Sequence, residues 1–317
     1  MDRTFLFAPN HRADNPLLRC DCPPNALSLD NDLTPKPSII NIIGSSIGRA
    51  MERHPIDLHY YESNINHPHS AYSADADRLE NIPKFFQHSN ALIARGINWT
   101  WEREGAVFTR ARVTPCKSDN AAEKQLLYAI TNPVKDGLVS RTKDSPFFST
   151  FMHQSQGEAL RFWWIDWGAF WKAGGPENKK HQPKDYLKWV AWETTPLPHL
   201  QGLTESQRQT RMRKLVREEE LNQEALRKAE KCTVIGVPAL FKTDPRSRPK
   251  NPKTGTAQPL CHADDEATRK AFEAKWIEFL KAHRAASVDY RRGEWKRIFP
   301  AGSFRPPLIR IINEDGT

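Results

Sequence analysis

Residues 56–69 read IDLHYYESNINHPH. Pro55 stands in front of the run and stops any helix before it. Ile56, Tyr60, Tyr61 and Ile65 are β-branched or aromatic, so the composition predicts one strand over residues 56–65 entering a sheet. That strand runs straight into His67-Pro68-His69. Two histidines one residue apart on a strand point to the same face, which is how a sheet presents two imidazoles to one divalent cation. A His-X-His triplet alone reads first as an ordinary pair of surface histidines, so the metal reading rests on its company. Pro68 removes a ladder donor, and the strand is expected to be edge-like or distorted there. Residues 70–75, SAYSAD, lack the apolar run of a buried strand.

Toward the N-terminus, Ser38 is expected to cap a helix whose Ile39, Ile42, Ile43, Ile47, Ala50 and Met51 make one apolar face. Residues 1–37 carry many Pro, Asn and Asp and read as an irregular lead-in. Toward the C-terminus, Leu79, Ile82, Phe86, Leu92 and Ile93 predict a second helix, with Pro83 near its first turn and Gly96 at its end. Residues 105–113 suggest a short basic hairpin or strand, and residues 118–120 offer caps for a helix through Thr131. On that helix Tyr128 and Asn132 are four residues apart and share a face.

Beyond residue 150 the composition changes. Six aromatic residues crowd into residues 162–171, and a domain boundary near 150 follows. Thr204 and Gln207 form a capping box opening a charged helix to about residue 231, read as solvated. A basic Pro-rich loop, residues 242–253 with Arg246, Arg248 and Lys250, precedes a helix starting near Asp264. The expected organisation is a lead-in (1–37), a catalytic domain (38–150) and a Trp-rich, mainly helical extension (151–317).

Lys plus Arg number 47 against 38 Asp plus Glu, a net charge of +9. That surplus favours a polyanionic partner through counterion release, although a soluble basic protein needs no such partner. Five cysteines at irregular spacing do not make a secreted disulfide framework, and neither Cys20 with Cys22 nor Cys261 with His262 matches structural zinc spacing. No apolar run is long enough to span a membrane, and a soluble cytoplasmic protein is expected.

The chemistry these parts suit is strand transfer. A phenol is a poor nucleophile at neutral pH, so Tyr128 needs a cation that polarises the phosphate, and His67 with His69 are placed to hold one. A phosphotyrosyl link would conserve the broken phosphodiester for rejoining. Tyr128 read alone is a half-buried core tyrosine.

Residues 128–139, YAITNPVKDGLV, preceded by residues 66–69, NHPH, resemble the tyrosine helix and His-hydrophobic-His element of single-tyrosine HUH transposases. These are the REP-associated tyrosine transposases and their insertion-sequence relatives. Residues 233–237, TVIGV, and 299–304, FPAGSF, are similar to the extension of one branch of that family. The resemblance implies an α+β fold, an antiparallel sheet with packed helices of ferredoxin/RRM-like type. It implies that His67, His69 and Asn132 bind Mg2+ or Mn2+, and that Tyr128 forms a 5′-phosphotyrosyl intermediate on single-stranded or hairpin DNA. Arg103, Arg110, Arg112 and Lys124 are then candidate phosphate contacts. The oligomeric state, monomer or homodimer, stays open at this point. Pro68 stands where the family has a hydrophobic residue, which keeps open a decayed relative that binds DNA without cutting it. The clustered Trp residues leave a protein-interaction module as a third class.

Overall fold

The computed structural model describes residues 4–8, 37–64, 67–78, 80–102, 104–108, 114–242, 260–300, 303 and 305–306. Its centre is an antiparallel sheet of four strands in the order β2-β3-β1-β4 among the described residues, built from β1 (Thr4–Ala8), β2 (Asp57–Ser63), β3 (Pro68–Ala74) and β4 (Thr114–Cys116). The fold is α+β, with helices packed on both faces of this sheet.

Three expectations about these strands need correction. Residues 1–37 are not wholly irregular, because β1 lies in the interior of the sheet, paired with β3 on one side and β4 on the other. Its short TFLFA run is rich in β formers, and pairing on both sides overrides the turn-rich composition around it. The strand read over residues 56–65 does not continue into His67. It ends at Ser63, and His69 belongs to the next strand, antiparallel to it. The segment after His69 is a buried strand despite its composition, with small residues Ser70, Ala71, Ser73 and Ala74 flanking a fully buried Tyr72. Between two strands and two helix layers, small side chains fill the space that an apolar run would overfill.

One face of the sheet carries α1 (Pro37–Arg53) and α2 (Asn81–Thr100). Ile39, Ile43, Ile47, Ile82, Phe85, Ile93 and Ile97 close over Leu58, Tyr61, Tyr72 and Ala74. The helix begins at Pro37 rather than behind a Ser38 cap, as suits a residue with no N–H to leave unpaired and a φ already helical. Gly96 lies inside α2 instead of ending it. A Cβ there would stand 2.6 Å from Ile42 Cγ2, so glycine permits the close crossing of α1 and α2. Residues 104–108 form no strand, and the basic stretch 109–113 lies outside the described residues.

The opposite face carries α3 (Asp119–Ile130), whose Ser118 cap accepts a hydrogen bond from the Ala121 amide at 3.0 Å, as its sequence predicts. Ala121, Ala122, Leu126, Ala129 and Ile130 pack on Tyr60, Ala71 and Cys116. Pro133, lacking an N–H, closes α3, and a single turn, α4 (Asn132–Lys135), follows. α5 (Phe151–Gln156) and the long α7 (Glu205–Ala229) complete this layer through Phe151 and Val216. The Thr204/Gln207 capping box forms as expected, and α7 is solvated along most of its length, with Val216 and Glu220 buried in this layer.

Packing is continuous across residue 150. A second sheet, β5 (Leu160–Ile165) paired with β6 (Leu187–Trp192), holds α6 (Trp167–Lys172) in its connection and lies on α1. Leu160 and Trp192 join the same apolar cluster as α1 and α2. Beyond α7 come α8 (Val237–Leu240) and α9 (Glu266–Arg291), the latter capped by Asp265; the basic loop at Arg246, Arg248 and Lys250 lies outside the described residues. No helix among the described residues is long and apolar enough to cross a membrane.

Candidate functional site

The site's position follows from an irregularity in β2. Leu58 lies opposite Tyr72, but Tyr60 lies opposite Ala71, so two residues of β2 face one of β3. This bulge moves the strand's phase, setting Tyr60 and Glu62 on the α3 face and Glu62 directly across from His69. The hairpin turn is held by Asn64, whose amide donates to the His67 carbonyl at 2.8 Å.

Pro68 is the first residue of β3 and lies opposite Ser63, while β1 reaches only as far as Ser70. Among the described residues the strand has one neighbour at Pro68, and proline at the start of a strand costs no interior ladder bond. The distortion expected from Pro68 is thus confined to the strand's end. His67 and His69 keep a shared side, with Nε2 atoms 3.1 Å apart and rings nearly perpendicular at 79°. His69 is buried and His67 partly so.

Tyr128, on the last turn of α3, reaches over this pair. Its ring centre is 6.3 Å from that of His69, in an edge arrangement. The side chain is 43% exposed, which leaves the phenol open to solvent on one side. Burial of the remainder, and then the charge of Asp136, hold the phenol above its ordinary pKa against a hydrogen bond with Asn132. Asn132 is buried, and its Oδ1 accepts from Asn64 Nδ2 at 2.7 Å. One amide therefore ties the tyrosine helix to the histidine turn.

Two imidazoles at this separation fit adjacent positions around one divalent cation, since bonds of ~2.1 Å at a right angle span about 3.0 Å. The buried Asn64 Oδ1 has no hydrogen-bond partner among the described residues, and its amide is bonded to that of Asn132, adding oxygen character to that end of the site. No group of three or more His, Cys, Asp or Glu that could hold a metal occurs among the described residues. The donor set fits a divalent cation that keeps open positions.

Two residues that the sequence reading did not single out belong to this site. Glu62 is fully buried; burial and then, with the same sign, Asp136 push its carboxyl well above the usual carboxylate range, opposed by the hydrogen bond from Tyr60. Its placement depends on the bulge and is invisible in the residue spacing. Lys135 lies with Nζ 4.7 Å from the centre of the Tyr128 ring and pairs with Glu219 at 3.3 Å. Its distance of seven residues from Tyr128, two helical turns, was the available signal.

Of the candidate phosphate contacts, Arg103, Arg110 and Arg112 lie outside the described residues, as does Asn66. Lys124 lies one turn before Tyr128 on α3, exposed, and pairs with Asp264 at 3.4 Å. The region beyond residue 150 also meets the site. Glu220 accepts from the Thr142 amide at 2.8 Å, Arg227 donates to the Val134 carbonyl at 2.9 Å, and the amides of Ile235 and Gly236 donate to Gly137 and Leu138.

No protein family and no curated protein matches this chain. Among solved structures it is similar to one described as a REP-associated tyrosine transposase bound to a REP hairpin, at 16% identity and a TM-score of 0.33. That similarity covers 49% of this chain and 79% of the other. At such a score it carries no argument about function, which has to come from the site itself.

Proposed function

We propose that the protein is a metal-dependent single-strand DNA endonuclease and strand transferase of the tyrosine HUH type, acting on hairpin-forming DNA. The observation that carries this reading is the meeting of two imidazole nitrogens 3.1 Å apart with the Tyr128 ring against one of them, from elements about sixty residues apart in the chain. The 43% exposure of Tyr128 leaves the phenol accessible to a bound strand.

In this reading Tyr128 Oη attacks the phosphorus of a phosphodiester. The new O–P bond forms as the P–O3′ bond breaks, the phenol's proton passes to solvent, and O3′ leaves as a hydroxyl, giving a 5′-phosphotyrosyl link. Attack by a 3′-hydroxyl reverses these steps and rejoins the strand. Mg2+ or Mn2+ held by His67, His69 and Asn132 would supply neutralisation of the phosphate charge. Asn132 hydrogen-bonds the phenol and fixes its direction, while Asn64 holds Asn132. Lys135, over the ring, offers a positive charge near the developing phenolate and the phosphate. Lys124, one turn earlier, would contact the backbone of the bound strand, together with Arg103, Arg110 and Arg112.

The test is a denaturing gel of labelled single-stranded hairpin DNAs incubated with the protein and Mn2+ or Mg2+. A covalent adduct that disappears with chelator and in Tyr128→Phe supports the reading. An adduct that survives Tyr128→Phe would remove Tyr128 from the role. Salt-sensitive binding with no adduct across the hairpin panel would replace strand transfer by a DNA-binding function without cleavage.

A further inference from the structure

The β5–β6 sheet has two unlike faces. Phe162, Val190 and Trp192 point to α1, with the Trp192 indole N–H donating to the Gly44 carbonyl at 2.9 Å. The other face carries Trp163 and Trp189, which are direct register partners across the two strands. They are 41% and 54% exposed. Cross-strand aromatic pairs ordinarily cover one another. Here no ring contact joins Trp163 and Trp189 among the described residues, and the Arg161 guanidinium lies over the Trp189 ring at 4.7 Å.

The hairpin and its connection leave a small surplus of cations without an ion pair. Arg161, Lys172, Lys179, Lys180 and Lys184, on the hairpin and its connection, make no ion pair among the described residues. Of the five carboxylates between residues 158 and 193, Asp166 pairs with Lys188 at 2.7 Å, while Asp185 accepts from the Gln182 amide and keeps its charge. Glu158, Glu177, Asp185 and Glu193 stand against the five cations, and Arg161 lies on the Trp189 ring of this face.

We infer that the outer face of β5–β6 is a stacking platform for an unpaired nucleic-acid strand, with bases on Trp163 and Trp189 and the sugar-phosphate backbone along Arg161 and the lysines of the connection. Indole faces accept any base by stacking, and cations between them follow the backbone. A sheet surface with splayed aromatic residues is a geometry that such strands use. The platform lies on α1, across the four-stranded sheet from α3, and is therefore a second site separate from His67, His69 and Tyr128. It stands on this surface alone and does not require the strand-transfer reading.

The probe is a fluorescein-labelled oligothymidylate of about 20 nucleotides, too simple to fold into a hairpin and longer than one platform needs. It is titrated into full-length Tyr128→Phe protein in the presence of chelator, so that neither cleavage nor a metal contributes. Binding that quenches tryptophan fluorescence is expected. Trp163→Ala and Trp189→Ala, made in that parent, should each weaken it about tenfold. As a check needing no substitution at the platform, an oligomer carrying 5-iododeoxyuridine is photo-crosslinked and the adducts mapped, with Trp163 or Trp189 expected among them. The inference is overturned if the parent does not bind, if the double alanine variant binds as tightly as the parent, or if every crosslink falls elsewhere. It is also overturned if light scattering finds a dimer that the double variant dissolves, because a second copy then covers the face. Loss of the covalent adduct with Trp-dependent binding intact would sink strand transfer alone; the converse result would sink the platform alone.

Discussion

Gly44→Ala is a substitution whose sign reports whether the β5–β6 sheet is seated on α1. In an exposed helix, replacing glycine by alanine stabilises by about 1 kcal/mol, because alanine loses less backbone freedom on folding. At Gly44 the added methyl would stand 2.4 Å from Phe162 Cε1 and 2.5 Å from Cδ1 and Cζ. Carbon atoms pack at ~3.5–4.0 Å, so the overlap is about 1 Å, against a flat ring that cannot bend out of the way. Phe162 is itself held by Phe148 and Trp192, with ring centres 5.7 and 6.2 Å distant. Overpacking of this kind costs about 1–3 kcal/mol, and pushing the hairpin away also weakens the Trp192–Gly44 hydrogen bond, worth ~1 kcal/mol. Setting these against the propensity gain leaves a net loss of about 1–3 kcal/mol. Urea denaturation followed by circular dichroism and by tryptophan fluorescence would measure it, with coincident transitions checking that the hairpin and α1 unfold together. In a double-mutant cycle, Phe162→Ala should recover much of the loss, because it removes the atoms in the way. Stabilisation of Gly44→Ala by about 1 kcal/mol, the value for a solvent-facing position, would refute the packing of this sheet on α1.

Two further outcomes follow from the carboxylates Glu62 and Asp136. The folded protein holds the Glu62 carboxyl well above its ordinary value, so this group's contribution to stability is full below the usual carboxylate range and is lost as the pH rises toward the folded-state value. Glu62→Gln should therefore gain stability relative to wild type between about pH 5 and pH 8, read from thermal melts across that span; a difference that shrinks with rising pH would show that Glu62 is ionised and satisfied in the fold. Asp136 is the second cause, after burial, of the raised Tyr128 pKa, so Asp136→Asn should move that phenol's alkaline titration down, measured by ultraviolet difference spectra against Tyr128→Phe. An unchanged titration would place the Asp136 charge out of reach of the phenol.

The helices were legible because their apolar residues recur at helical spacing and their caps are chemically explicit: Ile39, Ile43 and Ile47 in α1, Ser118 before α3, and Thr204 with Gln207 before α7. The strands were harder. β1 is five residues long and draws its stability from neighbours about 65 and 110 positions away, a relation that local composition does not encode. β3 hides because its buried positions are filled by serine and alanine. The His67–His69 pair and Tyr128 were legible as residue types at meaningful spacings, but the element joining the histidines to the sheet was misread. A strand of ten residues was expected where there is a bulged strand, a turn and a second strand. Glu62 stayed invisible for the same reason, since its place across from His69 exists only once the bulge has shifted the register.

The aromatic crowd at residues 162–171 shows why composition suggested a boundary near 150 where packing runs on. Alternation along β5 sends Phe162 into the core with α1 and Trp163 outward, so one run of similar residues serves an interior and a surface. The link from this later region to the candidate site is more direct still. Pro133 breaks the tyrosine helix, and the nine residues 134–142 that follow contain little regular structure to satisfy their own backbone. Beside their local turn bonds, four of their groups are met from residues 220–236: the Val134 carbonyl by Arg227, Gly137 by Ile235, Leu138 by Gly236, and the Thr142 amide by the buried Glu220. Each such bond is worth about 1 kcal/mol net, and together they anchor the turn from which Asn132 reaches the phenol. Lys135 adds a further tie, since the same ammonium lies over the Tyr128 ring and pairs with Glu219 on α7. The end of the tyrosine helix is thus positioned from two sides, by the histidine turn through Asn64 and by α7 with the strand-like segment after it. A fragment ending near residue 150 would keep the first support and lose the second.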